Sequence, residues 1–315
     1  MPMIELLGTT PALQILIAFL LGLVVGSFLN VVIHRLPIMM EREWREQCAQ
    51  LAAEDVHAAR EQGSPAEVVP ASTAVPAFNL VVPRSACPSC GTQIHGWHNI
   101  PVVSYLLLGG RCAACGTPIS LRYPLVELLT GVLSAAVAWR FGLSWTVLPA
   151  LVLTWSLVAL AAIDLDRQLL PDDITLPLLW LGLLISLCEP GSASRAIPVD
   201  PASSIIGAAA GYLSLWSVFQ VFKLLTGKEG MGYGDFKLFA AFGAWFGWQM
   251  LLLIILLAAI AGAVVGIALI ALRRHGRGVP IPFGPYLAAA GWVALMWGPE
   301  LIERYLQLSG LRGSG

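Results

Sequence analysis

Residues 248–272 run without a single charged side chain. At about 1.5 Å of rise per helical residue, such a stretch is long enough to cross the ~30 Å hydrocarbon layer of a bilayer. Lipid offers a peptide group no hydrogen-bond partner, so a chain that enters it must satisfy its backbone internally, as a helix or a closed barrel. Windows of about twenty apolar residues recur at 11–33, 124–139, 144–164, 173–188, 204–225, 236–247, 248–272 and 284–302. The expected fold class is therefore an all-α polytopic membrane protein with about eight transmembrane helices. The sixth window is short and meets the seventh through Gly247-Trp248-Gln249, which fits either a tight turn between antiparallel helices or an irregular re-entrant piece.

Composition agrees: 57% of the 315 residues are hydrophobic and 12% charged, a balance that could hardly cover a water-facing surface. A net charge of -1 with 18 dispersed Lys and Arg gives no basic face for a nucleic acid. Residues 1–10 carry no basic region or small-residue cleavage site ahead of the first apolar run, which is read as a retained span. If 34–122 is cytosolic, 14 of the 18 basic residues lie on that side, leaving Arg140, Arg195, Arg304 and Arg312 outside. The short loops alone keep this bias, and both termini then face outward.

Within that cytosolic stretch, Ala, Glu, Arg and Gln followed by Pro, Ser and Val from Glu41 to about Ala77 suggest a short amphipathic helix and a flexible linker. Cys48 there reads as a lone reduced thiol. Further on stand Cys87-Pro88-Ser89-Cys90 and Cys112-Ala113-Ala114-Cys115, separated by 21 residues and each followed by a turn-permitting glycine, Gly91 and Gly116. Paired knuckles of this spacing suit a structural zinc site with tetrahedral thiolates from Cys87, Cys90, Cys112 and Cys115. Two disulfides are the alternative, disfavoured on the cytosolic side. Four thiolates leave no position for water, so such a metal would be structural rather than hydrolytic. His95 and His98 are then left for surface or cofactor-contact roles.

Two carboxylates stand where a membrane protein tolerates them only for a purpose. Asp164 ends the apolar run 157–163, and Asp235 opens another inside Gly230-Met231-Gly232-Tyr233-Gly234-Asp235-Phe236-Lys237-Leu238, where glycines would let an extended peptide approach closely. Alone, Asp164 is better explained as a helix-end carboxylate solvated at the interface; pairing with Asp235 reverses that preference. Together the two lie at the cytosolic ends of their spans, and carboxylates that face one another can share a proton and activate water against a peptide carbonyl. Asp166, Asp172 and Asp173 compete for the role, but the last two follow Pro171 and suit the start of a helix. Lys237 fits lipid headgroups better than a carboxylate partner. Ser27, Asn30 and His34 share a helix face and read as interhelical hydrogen-bond partners or the lining of a substrate groove. Pro280, Pro282 and Pro285 read as a rigid cytosolic turn. An intramembrane aspartic peptidase is the primary reading; a proton- or cation-coupled secondary transporter using the same aspartates is the alternative.

Taken together, the motifs resemble a known family. Gly26-Ser27-Phe28-Leu29-Asn30, His34-Arg35-Leu36-Pro37, the two Cys-x-x-Cys pairs, Arg122-Tyr123-Pro124-Leu125-Val126-Glu127, Ile163-Asp164-Leu165-Asp166 with Leu170-Pro171-Asp172, the glycine-rich stretch ending in Asp235, and Pro282-Phe283-Gly284-Pro285 resemble the type IV prepilin peptidase family, bifunctional leader peptidases and N-methyltransferases. The resemblance spans nearly the whole chain, with 46–76 looking like an insertion. It implies Asp164 and Asp235 as the catalytic pair, cleavage of a short basic leader from type IV prepilins and type II secretion pseudopilins, and methylation of the new N-terminal residue from S-adenosylmethionine. Gly109 and Gly110, beside the second knuckle, become candidates for the methyl-donor site. It also implies residence in the bacterial inner membrane, in contact with lipid, with the catalytic face cytosolic. The expected domains are an N-terminal span (1–33), a small cytosolic zinc domain (34–122) with a flexible insertion (46–76), a transmembrane peptidase domain (123–309) and a short tail (310–315).

Overall fold

The structure, a computed structural model, describes residues 10–61, 78–94, 100–142, 144–188, 199–272 and 281–309, without the side chains of 55–61. All regular structure among these residues is helical: α1 (Pro11–Glu61), α2 (Val103–Leu107), α3 (Arg122–Phe141), α4 (Val147–Arg167), α5 (Asp172–Leu187), α6 (Pro201–Thr226), α7 (Tyr233–Phe246), α8 (Trp248–Ala271) and α9 (Gly284–Leu308). Five of them, α1, α3, α4, α6 and α8, are long and apolar enough to cross a membrane. They correspond to five of the eight expected windows, and the other three fold as α5, α7 and α9.

The backbone of α1 departs from expectation. It continues without a break through Pro37 and past the end of the first window, so the short helix expected from Glu41 is the far end of the same 51-residue element. Ala, Glu, Gln and Arg carry the low helical cost that allows this. Of the insertion at 46–76, residues to 61 belong to α1 and the remainder lies outside the described residues, as do His95 and His98.

Each helix buries a stripe against its neighbours. On α8, Leu252, Leu256, Ile260, Val264 and Ile267 are exposed at near-helical spacing, while Leu251, Ile254 and Ala258 are buried. That is the pattern of a helix with one face on protein and the other on lipid. α1 packs chiefly on α3, and both lean on α4. Leu29, Val32, Ile33 and Leu36 of α1 there meet Val126 of α3 and Val158, Ala159 and Ile163 of α4.

The larger core surrounds α7. Ten of its 14 residues are buried, enclosed by α5, α6, α8 and α9. At about 21 Å, α7 is shorter than the hydrocarbon layer, but its surroundings are protein. Glycine permits the closest approach: a methyl group added to Gly243 would strike the backbone of Gly207 on α6, and one added to Gly207 would strike that of Gly243. Ser204 donates its hydroxyl to the Ala244 carbonyl (2.7 Å), and the buried Trp245 indole donates to the Leu178 carbonyl of α5 (2.8 Å). Of the two geometries open at residues 247–249, the chain adopts a direct turn: Gly247, at φ 78°, joins α7 to α8.

Candidate active site

The two aspartates arrive at one place from different directions. Asp164 lies in the last turn of α4 and is 6% exposed; Asp235 lies in the first turn of α7 and is 7% exposed. They are close enough for the charge of Asp164 to act on Asp235. Leu170, from the α4–α5 connection, fills the space between their surroundings. A methyl group on Gly234, next to Asp235, would sit 2.6 Å from the Leu170 Cβ. One on Gly284 would sit 3.2 Å from a Leu170 Cδ and 2.6 Å from Asp164 Oδ2.

Gly284 has a direct role that the sequence left hidden. Its backbone N–H donates to Asp164 Oδ2 at 2.9 Å, and it is the first residue of α9. Residues 281–283 thus deliver a helix N-terminus to a buried carboxylate. Asp235 likewise occupies the first turn of its own helix. The partial positive charge of a helix start compensates part of the cost of holding each carboxylate away from water. Asp235 Oδ1 is buried and finds no protein partner among the described residues. Two such carboxylates can divide the work of hydrolysis, one donating a hydrogen bond to a carbonyl while the other accepts a proton from water.

Ion pairs flank the site. Lys237 Nζ meets both carboxylate oxygens of Asp172, at 2.7 and 2.6 Å, so the expected lipid contact gives way to a link between α7 and α5. Asp166 pairs with Arg122 of α3 at 2.5 Å. Arg167 pairs with Glu41 of α1 at 3.3 Å. Asp173 stands beside Asp172 in the first turn of α5. Asn30 donates to the Tyr123 carbonyl (3.0 Å), an interhelical bond of the expected kind, whereas His34 is exposed.

The four cysteines of the knuckles converge, their Sγ atoms all within 4.8 Å of one another and none in a disulfide. Cys87 and Cys115 lie 3.8 Å apart, close to the ~3.8 Å edge of a tetrahedron with metal–sulfur bonds of about 2.3 Å. The knuckles repeat each other. Gly91 and Gly116, both at φ 70°, donate to the Cys87 and Cys112 carbonyls, and Cys87 and Cys112 donate to the Thr92 and Thr117 carbonyls, all at 2.9 Å. Hydrogen bonding with Thr117 holds the Cys115 thiol down to about 6, favouring the thiolate a metal needs. The cluster can hold a metal ion. Buried Arg35 of α1 anchors the approach to it, donating to the Asn79 (2.9 Å) and Pro83 (2.6 Å) carbonyls.

Gly109 and Gly110 both adopt left-handed backbone, at φ 58° and 69°. Tyr105 packs against Gly110, where an added methyl would meet its hydroxyl at 2.7 Å, whereas the corresponding space at Gly109 is open. Of the two, Gly109 alone has room beside it for a ligand.

Comparison with known proteins covers the chain in two parts. Residues 20–141 match the bacterial peptidase A24 N-terminal domain, and residues 151–267 match the type IV leader peptidase family. Relatives named prepilin leader peptidase/N-methyltransferase match almost end to end. The protein from Stutzerimonas stutzeri is 51% identical over 98% of this chain and 99% of its own length. That from Pseudomonas aeruginosa is 51% identical over 99% and 100%, and that from Aeromonas hydrophila is 53% identical over 96% and 98%. No solved structure matches.

Proposed function

The chain belongs to the type IV leader peptidase family, as a bifunctional prepilin peptidase and N-methyltransferase of a bacterial membrane, and from this premise we propose that Asp164 and Asp235 carry out the cleavage. The observation that supports the assignment is the meeting of two buried carboxylates from helices far apart in sequence, each at a helix start that eases its burial. The transporter reading of the same aspartates gives way to the relatives' activity.

One carboxyl, protonated, donates a hydrogen bond to the scissile carbonyl oxygen while the other, ionised, takes a proton from water. The oxygen of that water attacks the carbonyl carbon, the tetrahedral species collapses, and the leaving amine departs with a proton from the pair. The two groups titrate jointly, so the proton belongs to the pair and not to either residue. The Gly284 amide fixes the rotamer of Asp164, and the unpartnered Asp235 Oδ1 is free to face the peptide.

The site sits at the inner rim of the bacterial inner membrane. Substrates are type IV prepilins and type II secretion pseudopilins, whose basic leader stays in the cytosol while the hydrophobic stem lies in lipid. Cys87, Cys90, Cys112 and Cys115 hold a structural zinc that closes a segment with little core of its own. The cytosolic segment near Gly109 would hold S-adenosylmethionine, whose electrophilic methyl group would be available to the new N-terminal amine. Gly110, packed against Tyr105, would support that turn.

The test is mass spectrometry of a prepilin incubated with purified enzyme, with and without S-adenosylmethionine. Asp164→Asn and Asp235→Asn each abolish leader loss while metal content and methylation of a pre-cleaved pilin persist. Cleavage retained by either variant removes the pair from the mechanism.

A further inference from the structure

A second buried carboxylate site lies away from the aspartates. Glu127, in the second turn of α3, is 9% exposed and belongs to a helix able to cross the membrane. Its Oε2 accepts the backbone N–H of Val102 at 2.8 Å. Val102 is a β-branched residue at φ 58°, ψ −46°, the centre of a tight turn closed from Val103 N–H to the Pro101 carbonyl and a positive-φ conformation such side chains avoid. The carboxylate therefore restrains the residue least able to hold its geometry unaided.

Glu127 is closely packed. Gly26 of α1 is so close that a methyl group there would lie 2.7 Å from the Glu127 Cα. Further along, Asn30 ties α1 to the Tyr123 carbonyl. On the other side, Val102 caps α2, and hydrogen bonds carry the restraint onward. Gly110 donates to the Tyr105 carbonyl (2.9 Å) and Ile119 donates to the Gly110 carbonyl (2.7 Å). These contacts bracket the Gly109–Gly110 turn, and Cys112 follows two residues later. A carboxylate inside a span is a costly means of satisfying one amide unless its position matters.

We propose that Glu127 is a positioning residue for methyl transfer: anchored in the bundle, it latches Val102 and so holds α2, the Gly109–Gly110 turn and the second knuckle in one place on the membrane rim. This rests on methyl transfer belonging to the cytosolic segment. What the latch requires of residue 127 is a hydrogen-bond acceptor of the right reach, not a proton acceptor.

The experiment uses full-length enzyme, a prepilin, a pre-cleaved pilin, labelled S-adenosylmethionine and amide hydrogen exchange. In Glu127→Ala, methylation of pre-cleaved pilin falls about tenfold or more, exchange across 102–110 accelerates, and leader cleavage stays within about twofold. Glu127→Gln, which keeps an acceptor, restores both methylation and protection. Val102→Gly added to Glu127→Ala recovers part of the methylation, because glycine holds φ 58° without help. Val102→Pro opens the latch from the loop side, where the bundle is not disturbed, and reproduces the loss. Full methylation in Glu127→Ala or Val102→Pro overturns the proposal. So does a Glu127→Gln enzyme that stays protected but inactive, since the carboxylate would then be doing chemistry. Failure of the underlying reading is visible separately: a Cys112→Ser enzyme that sheds its metal yet methylates at full rate moves methyl transfer elsewhere and leaves the exchange result standing.

Discussion

The burial of Asp164 and Asp235 was legible from sequence because one ends an apolar run and the other opens one, and charge in hydrocarbon is rare enough to carry meaning. The group that orients Asp164 was not, since the Gly284 donor is a backbone N–H and leaves no mark in the residue code. Glycine is required at 284 for space: a methyl group would lie 2.6 Å from Asp164 Oδ2. Gly284→Ala therefore rotates or displaces the carboxylate. Cleavage is expected to fall on the order of 100-fold, as misplacement of about 1 Å does in other active sites, while methylation of pre-cleaved pilin is unchanged. Comparing the two rates on one preparation checks this. The four cysteines were equally legible, because their spacing and following glycines encode the turns directly. Treating the enzyme with a strong thiol-competing chelator is expected to release one metal ion and expose 78–94 and 100–118 to protease, a change that cysteine alkylation mapping would detect.

Pairings between elements were harder to read, because partners lie far apart in the chain. Lys237 suited lipid headgroups on sequence alone; in the folded chain Asp172, 65 residues away, takes both its charge and its hydrogen bonds. The pair clasps the start of α5 to the start of α7 just beyond Asp235. Both side chains are partly exposed, so its contribution to stability is small, about 1 kcal/mol or less. Lys237→Met is thus expected to lower the melting temperature little but to slow cleavage, and the swap Lys237→Asp with Asp172→Lys to recover part of the rate. Equal rates in the single and swapped variants would show that the clasp is only electrostatic decoration. The short length of α7 was visible in its sequence, whereas its enclosure was not. That follows from Gly207 and Gly243, whose missing side chains bring α6 and α7 into backbone contact. Gly243→Val is expected to destabilise the bundle by about 1–3 kcal/mol through overpacking, seen as a loss of both activities and earlier thermal unfolding in detergent.

At the scale of the whole molecule, α1 joins what the sequence seemed to divide. The apolar run ends near residue 33, yet helix-forming residues carry the same element on to Glu61. Its lower part is packed against α3 and α4 and pinned at Arg35, whereas the side chains of 43–54 are exposed. From residue 43 the backbone of α1 runs on to Glu61, a spar about 28 Å long. Where it leaves the bundle, Glu41 meets Arg167, one turn beyond Asp164 on α4. A spar turns angle into distance: rocking α1 by about 10° at its base would swing Glu61 by about 5 Å. Anything that grips the far tip thus gains leverage on the helix that carries the buried Asp164, and a substrate entering the enzyme moves that tip in return.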